Sequence, residues 1–111
     1  MTREQAEQAL AECRRKIDAI DVQLRDLLNH RAEIAEEIVR AKIVLGVSVR
    51  QPKREDEVIG KVTGENPGPL DADGLRRIFE CIMQEIRELE SSHLPGNQPK
   101  ETPGQKGMPE W

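Results

Sequence analysis

The chain has 111 residues, of which 34% are charged, and its net charge is −4, so it forms at most one small domain with a solvated exterior. Aromatic residues make up only 2% of it, which argues against a stacking platform for single-stranded nucleic acid. The negative net charge argues against binding to duplex nucleic acid through bulk charge. A core in this chain has to be built from aliphatic side chains.

The first ten residues, MTREQAEQAL, are polar and lack the apolar stretch of a signal peptide. No later stretch is apolar for long enough to cross a bilayer, so we expect a cytoplasmic protein. Cys13 and Cys81 show no CxxC spacing, and we expect reduced, packed thiols. His30 and His93 have no neighbours typical of a metal site and are interpreted as surface residues, so no metal is expected.

The first predicted element is one long amphipathic helix with a heptad seam. The seam consists of Leu10, Cys13, Ile17, Ile20, Leu24, Leu27, Arg31, Ile34, Ile38, Ala41 and Leu45. Its spacing alternates between three and four residues, which is typical of a coiled-coil face. Thr2 and Gln5 fit a capping box at the start, and Gly46 supplies the stop.

The length of this helix predicts a homodimer. A helix of about 40 residues is about 60 Å long, whereas a compact domain of this size has a radius of gyration of only about 13 Å. The remaining chain is too short to cover the seam. We therefore expect two copies of the chain to intertwine, with their long helices against each other.

A second, short helix is predicted from Pro52, which fits a first helical turn. Its apolar residues are Val58, Ile59 and Val62, and the stretch TGENPGPL ends it because glycine and proline interrupt a helix.

A third helix of medium length is predicted to begin at Asp71 or Asp73. Its apolar stripe has helical spacing and consists of Leu75, Ile78, Phe79, Ile82, Met83, Ile86 and Leu89. We expect one all-α domain over residues 1–92, followed by a proline- and glycine-rich, disordered tail over residues 93–111.

The seam has one charged member, Arg31, and a second cation, Lys42, follows eleven residues later. Eleven residues are about three helical turns, so the two side chains point the same way, about 16 Å apart along the axis. Arg14 lies about 100° away around the helix from Arg31. One straight helix cannot bring Arg14 and Arg31 to one small ligand, but two copies of it can.

These cations have two interpretations. An arginine on a seam often sets register or oligomeric state, and Lys42 could extend from the edge of the stripe into solvent. The segment RQPKRE adds Arg50, Arg54 and Glu55 at the head of the second helix. Three basic clusters around an aliphatic core favour a small polyanionic ligand, because arginine donates two parallel hydrogen bonds to a carboxylate.

The motifs R-x-x-I-D-x-I-D, L-L-x-x-R and A-K occur within RRKIDAIDVQLRDLLNHRAEIAEEIVRAK, and an R-E pair occurs within VRQPKRE. Together with LDADGLRRIF and IMQEIRELE, they resemble the all-α (type II) chorismate mutases over roughly Leu10 to Ser91. The resemblance implies three helices per subunit, an intertwined homodimer with two equivalent sites, and conversion of chorismate to prephenate without a metal or cofactor.

The resemblance also implies roles for individual residues. Arg14 would reach one substrate carboxylate from the partner subunit, and Arg31 would bind a carboxylate within its own subunit. Lys42 would donate to the ether oxygen of the breaking C–O bond. Arg54 would contribute to the cationic wall, and Glu55 would accept a hydrogen bond from the ring hydroxyl.

Three positions depart from the family pattern. Gln51 stands where many members have an aspartate that contacts the ring hydroxyl. Ile86 stands where the last helix often has a serine, and Glu90 stands where it often has a glutamine that donates to the ether oxygen. An ionised glutamate has no proton to donate, so Glu90 would act in its protonated form. Alternatively, Glu90 sits at the frayed end of the helix and contacts nothing.

Two other functions stay open at the level of sequence. An isochorismate-pyruvate lyase on the same fold would use nearly the same cationic pocket. A helical dimerisation or regulatory module without catalytic activity would use the cations only to set register.

Overall fold

The computed structural model describes residues 1–94, which form three α-helices. Helix α1 covers Arg3–Leu45, α2 covers Pro52–Gly64 and α3 covers Ala72–Ser92. Residues 1–94 contain no strand, so the prediction of an all-α fold with one long, one short and one medium helix is confirmed. Most of the predicted tail, from residue 95 to residue 111, lies outside the described residues.

Helix α1 begins and ends with the predicted capping residues. The backbone N–H of Thr2 donates to Oε1 of Gln5 at 2.8 Å, and the N–H of Gln5 donates to Oγ1 of Thr2 at 3.1 Å. At the other end Gly46 has a φ of 69°, a conformation that glycine adopts without steric cost. Its N–H donates to the carbonyl of Ile43, and the N–H of Val47 donates to that of Lys42, which is the Schellman pattern.

The chain divides into two compact units, of which the first is Met1–Arg31 and the second begins at Ala32. In the first unit every residue except Arg31, which is half-buried, is exposed. The second unit holds the apolar core, and its buried members are Ala35, Val39, Ile59 and Met83. These residues come from all three helices.

Helices α2 and α3 pack against each other within the second unit. Pro52 occupies the first turn of α2, as predicted. Of the two predicted caps of α3, the structure uses Asp71, whose carboxylate accepts from the N–H of Gly74 at 2.6 Å. The predicted stripe of α3 is half-buried or buried apart from Ile78, which is exposed.

The prediction that His93 is a surface residue is wrong, because only 14% of its side chain is exposed and its Nε2 lies 3.4 Å from Oε2 of Glu36. His93 is the C-cap of α3, and its side chain lies next to that of Glu36 on α1. His30 is exposed, as predicted. Cys13 and Cys81 are free thiols, but both are exposed instead of packed. None of the helices formed by residues 1–94 is long and apolar enough to cross a membrane.

Candidate active site

The predicted site residues fall into both units of the chain. Arg14 and Arg31 belong to the first unit, where Arg14 is exposed and Arg31 is half-buried. The second unit contains the others, which are Lys42, Gln51, Arg54, Glu55, Ile86 and Glu90. Within the second unit these side chains come from the end of α1, the head of α2 and the last three turns of α3.

Lys42 lies in the last turn of α1 and is half-buried. Its Nζ donates to the carbonyl oxygen of Val49 in the connector at 2.7 Å. An ammonium group carries three donors, so this bond fixes the direction of the side chain and leaves two N–H groups to donate elsewhere. The connector therefore holds the Lys42 cation in one place before any ligand arrives.

The head of α2 presents three of the predicted residues. Gln51 is the N-cap and is exposed, and its side chain makes no capping hydrogen bond. Arg54 is exposed and forms an ion pair with Glu57 at 3.5 Å. Glu55, unlike Gln51 and Arg54, is half-buried. Its side chain contacts α3.

Glu55 contacts a residue that the sequence did not single out. Nη1 of Arg87 donates to Oε1 of Glu55 at 2.7 Å, and the two residues are 32 positions apart in the sequence. The spacing of the apolar residues in α3 predicts that Met83 and Ile86 lie on its apolar stripe, and Arg87 is the residue next to Ile86. That position at the edge of the stripe is the only signal that the sequence offers for it.

Near its end, α3 supplies Ile86 and Glu90, which are four residues apart and share a helix face. Ile86 is half-buried, and Glu90 is buried with 7% of its surface exposed. The alternative in which Glu90 sits at a frayed helix end is therefore wrong. Glu90 therefore lies among the buried residues of α3.

Two grooves lie in the second unit, and of the predicted site residues only Glu55 lines either of them. One, of about 490 Å³, lies between α2 and α3, and Arg50, Glu55, Gln84 and Arg87 line it with others. The second, of about 830 Å³, lies between the connector and the end of α3. Arg50 and Arg87 line both grooves. Within residues 1–94 there is no group of three or more histidine, cysteine, aspartate or glutamate side chains that could hold a metal ion.

The sequence matches characterised proteins over nearly all of its helical part. A family model described as chorismate mutase type II matches residues 13–91. The chorismate mutase of Methanocaldococcus jannaschii is 30% identical over 94 residues, which cover 82% of this chain and 93% of that protein. The bifunctional chorismate mutase/prephenate dehydratase of Stutzerimonas stutzeri is 33% identical over 80 residues. That match covers 68% of this chain but only 22% of the bifunctional protein, so the chain spans about a fifth of its length.

Solved structures share the fold. The chorismate mutase of Thermus thermophilus in its form II superimposes with a TM-score of 0.75 at 30% identity, covering 78% of this chain and 99% of that one. The chorismate mutase of Helicobacter pylori, solved in complex with prephenate, gives a TM-score of 0.72 at 27% identity and covers 79% and 99% of the two chains. From the match over residues 13–91 and these relatives, the chain belongs to the type II chorismate mutase family.

Proposed function

We propose that this chain is a chorismate mutase, an isomerase that catalyses the Claisen rearrangement of chorismate to prephenate for phenylalanine and tyrosine biosynthesis. The observation that carries the proposal is the family match over residues 13–91, which includes every predicted site residue. The Helicobacter pylori relative supports it further, because that protein was solved with prephenate. The half-buried Lys42, held by Val49, is the catalytic group on which the chemistry depends.

The reaction is unimolecular and requires two things from the protein. The enolpyruvyl arm of chorismate has to be held over the ring, which is an effect of orientation. The ether oxygen gains negative charge as its bond to carbon lengthens, so fixed donors directed at it stabilise the transition state more than the substrate. Neither of these effects requires a covalent bond to the protein.

Lys42 is proposed as the main donor to the ether oxygen. Its bond to Val49 supports this role, because a cation whose direction is already fixed does not have to reorganise when charge develops in the substrate. Half-burial also strengthens its electrostatic effect, since the local dielectric constant is lower than that of water.

The two carboxylates of chorismate would be bound by arginines. Arg31 and Arg54 would act within one subunit, and Arg14 would reach over from the other subunit. Glu55 would accept a hydrogen bond from the ring hydroxyl. Gln51 and Ile86 would line the pocket, with Gln51 in place of a carboxylate and Ile86 in place of a hydroxyl group.

Glu90 is proposed as the second donor to the ether oxygen. A carboxyl group donates a hydrogen bond only while it is protonated, and burial favours the neutral form of the acid. The 7% exposure of Glu90 supports this state. The proposal thus assigns two different donors, an ammonium group and a carboxylic acid, to the same oxygen.

The site is proposed to form in a homodimer. Seven apolar members of the seam are exposed to between 44% and 64% in the single chain, namely Leu10, Ile17, Ile20, Leu24, Leu27, Ile34 and Ile38. A contiguous apolar face of this length is typical of an interface with another helix. A second copy of the chain would cover the seam and bring its Arg14 to the site of the first.

The experiment that tests the function is a chorismate assay with the purified chain. The absorbance of chorismate should fall, the product should be prephenate, and Arg31→Ala should lose most of the activity while keeping its helical circular dichroism. Turnover of isochorismate to pyruvate instead of this reaction would support a lyase. Absence of turnover with either substrate would support a module without catalytic activity. The cytoplasmic location stays a prediction from the sequence.

A further inference from the structure

We propose that Arg87 is a positioning residue, which fixes the carboxylate of Glu55 so that it can accept the ring hydroxyl of chorismate. This inference rests on the proposed function. Its basis is the 2.7 Å ion pair between Nη1 of Arg87 and Oε1 of Glu55, in which 29% and 23% of the side chains are exposed.

This pair differs from the other arginine–carboxylate pairs that residues 1–94 form. Those pairs join side chains on the same helix, at most four positions apart, and more than half of each side chain is exposed. Pairs of that kind contribute little to stability or orientation. The Arg87–Glu55 pair instead joins α3 to the head of α2 and is partly shielded from water, where a charge-assisted hydrogen bond is stronger.

The geometry assigns different tasks to the two oxygens of Glu55. Oε1 accepts from Arg87, which leaves Oε2 available to accept the substrate hydroxyl. A free glutamate side chain has three rotatable bonds, and the planar guanidinium of Arg87 removes much of that freedom before the substrate binds. Arg87 directly follows Ile86, so the same turn of α3 that lines the proposed pocket also orients Glu55.

Other charged groups line the groove around the pair, namely Arg50, Arg77 and Glu80. Arg50 and Arg77 carry the same charge as Arg87, and Glu80 carries the same charge as Glu55. At 2.7 Å, Glu55 is close enough to Arg87 to form a strong ionic hydrogen bond. Because a carboxylate accepts at both of its oxygens, this bond leaves the second oxygen of Glu55 able to accept from the substrate.

A double-mutant cycle on kcat/KM tests this inference. The variants are Arg87→Met, Glu55→Ala and the double variant, and Arg76→Met, an exposed arginine on the same helix, is the matched control. We expect Arg87→Met to lower kcat/KM by roughly tenfold, the cost of losing one oriented hydrogen bond. In the Glu55→Ala background the same substitution should change kcat/KM by less than about twofold, because the group that Arg87 orients is already absent.

Three outcomes overturn the inference. If Arg87→Met is as active as wild type, Arg87 has no role in the site. If it lowers kcat/KM equally in both backgrounds, Arg87 acts through general stability or directly on the substrate, and not through Glu55. If the wild-type protein does not rearrange chorismate, the proposed function is wrong and the inference about Arg87 is wrong with it. The assay of the wild-type protein alone distinguishes this outcome from the other two.

A conservative variant guards against loss of folding. Arg87→Lys keeps the charge but replaces the fork by a single ammonium group on a flexible stem, and we expect it to lie between wild type and Arg87→Met in kcat/KM. Circular dichroism melting of all variants separates this effect from unfolding. Wild-type kcat/KM for Arg87→Lys would show that a positive charge beside Glu55 suffices without the oriented fork, and would also overturn the inference.

Discussion

Oε2 of Glu36 on α1 and Nε2 of His93 at the end of α3 lie 3.4 Å apart, and only 9% and 14% of the two side chains are exposed. The backbone N–H of His93 also donates to the carbonyl of Glu90 at 3.1 Å. The contact between Glu36 and His93 therefore connects α1 to the last turn of α3, which carries Glu90. Within the second unit it fixes one end of the proposed active site.

We expect Glu36→Ala to destabilise the protein by about 2 kcal/mol, because the substitution takes a polar partner away from the buried imidazole of His93. The matched control is Glu12→Ala, which removes an ion pair to Arg15 on the exposed face of α1 and should cost less than about 1 kcal/mol. The measurement is the midpoint of denaturant unfolding at one fixed chain concentration, since oligomers unfold in a concentration-dependent way. Equal losses for the two variants would contradict a stabilising role of the buried pair.

Lys42→Met should lower kcat by about 10² to 10³, the typical cost of losing one donor to a developing oxyanion. The substitution keeps the length of the side chain and removes its charge, so packing at the end of α1 changes little. Steady-state kinetics with chorismate provide the measurement, and Lys53→Met, an exposed lysine on α2, provides the control. Retention of wild-type kcat by a folded Lys42→Met variant would show that another group stabilises the ether oxygen.

The activity of wild type should decline with rising pH, and that of Glu90→Gln should be flatter. The protonated carboxyl of Glu90 donates and the ionised form does not, whereas the amide of glutamine donates at every pH. The comparison of the two pH profiles is the informative measurement, because His93, whose backbone N–H donates to the carbonyl of Glu90, is present in both proteins. Glu88→Gln, two positions earlier and exposed, should keep the wild-type profile. A flat wild-type profile would exclude protonated Glu90 as the donor.

The helices could be predicted from the sequence because their signals are local. The capping box of Thr2 and Gln5, the stop at Gly46 and the cap at Asp71 depend on residues within five positions of one another. Such contacts form in the same way whatever the rest of the chain does. The apolar stripe of α3 could be predicted for the same reason.

Contacts between distant residues could not be predicted in this way. His93 lies four residues after Leu89, the last residue of the apolar stripe of α3. Nothing in the residues beside His93 indicates that it contacts Glu36, 57 positions earlier in the chain. Arg87 lies beside the stripe like many solvated arginines, and only the packing of α2 on α3 reveals its contact with Glu55. The resemblance indicated which residues bind substrate, but not which residues hold them in place.

Leu24→Lys should abolish the proposed homodimer, because a charge in the middle of the seam would be buried at the proposed interface without a partner. Val22→Lys is a closely matched control. Val22 and Leu24 are similarly exposed in the single chain, at 47% and 50%, but two residues of helix turn Val22 to the other side of α1. Sedimentation equilibrium should give a monomer mass for Leu24→Lys and a dimer mass for Val22→Lys. A dimer in both cases would show that the seam is not the interface.

Two inactive variants should restore activity when they are combined. If each site uses Arg31 of one subunit and Arg14 of the other, Arg14→Ala and Arg31→Ala homodimers each have two defective sites. A heterodimer of the two has one site with both arginines intact and one with neither. With random exchange of subunits, half of the dimers are heterodimers, so the mixture should reach about a quarter of wild-type activity.

Subunits should be exchanged by unfolding the two variants together and refolding them, and chorismate turnover should be measured before and after. Arg31→Ala refolded alone gives the baseline, and Arg31→Ala refolded with the Arg14→Ala, Arg31→Ala double variant gives the matched control. In that control no dimer contains an intact pair, so its activity should stay at the baseline. Recovery only in the first mixture requires that Arg14 and Arg31 act on one substrate from different chains. If a mixture that has formed heterodimers recovers no activity, both arginines act in the site of a single subunit. In that case catalysis does not require the long helix α1 to pair with a second copy.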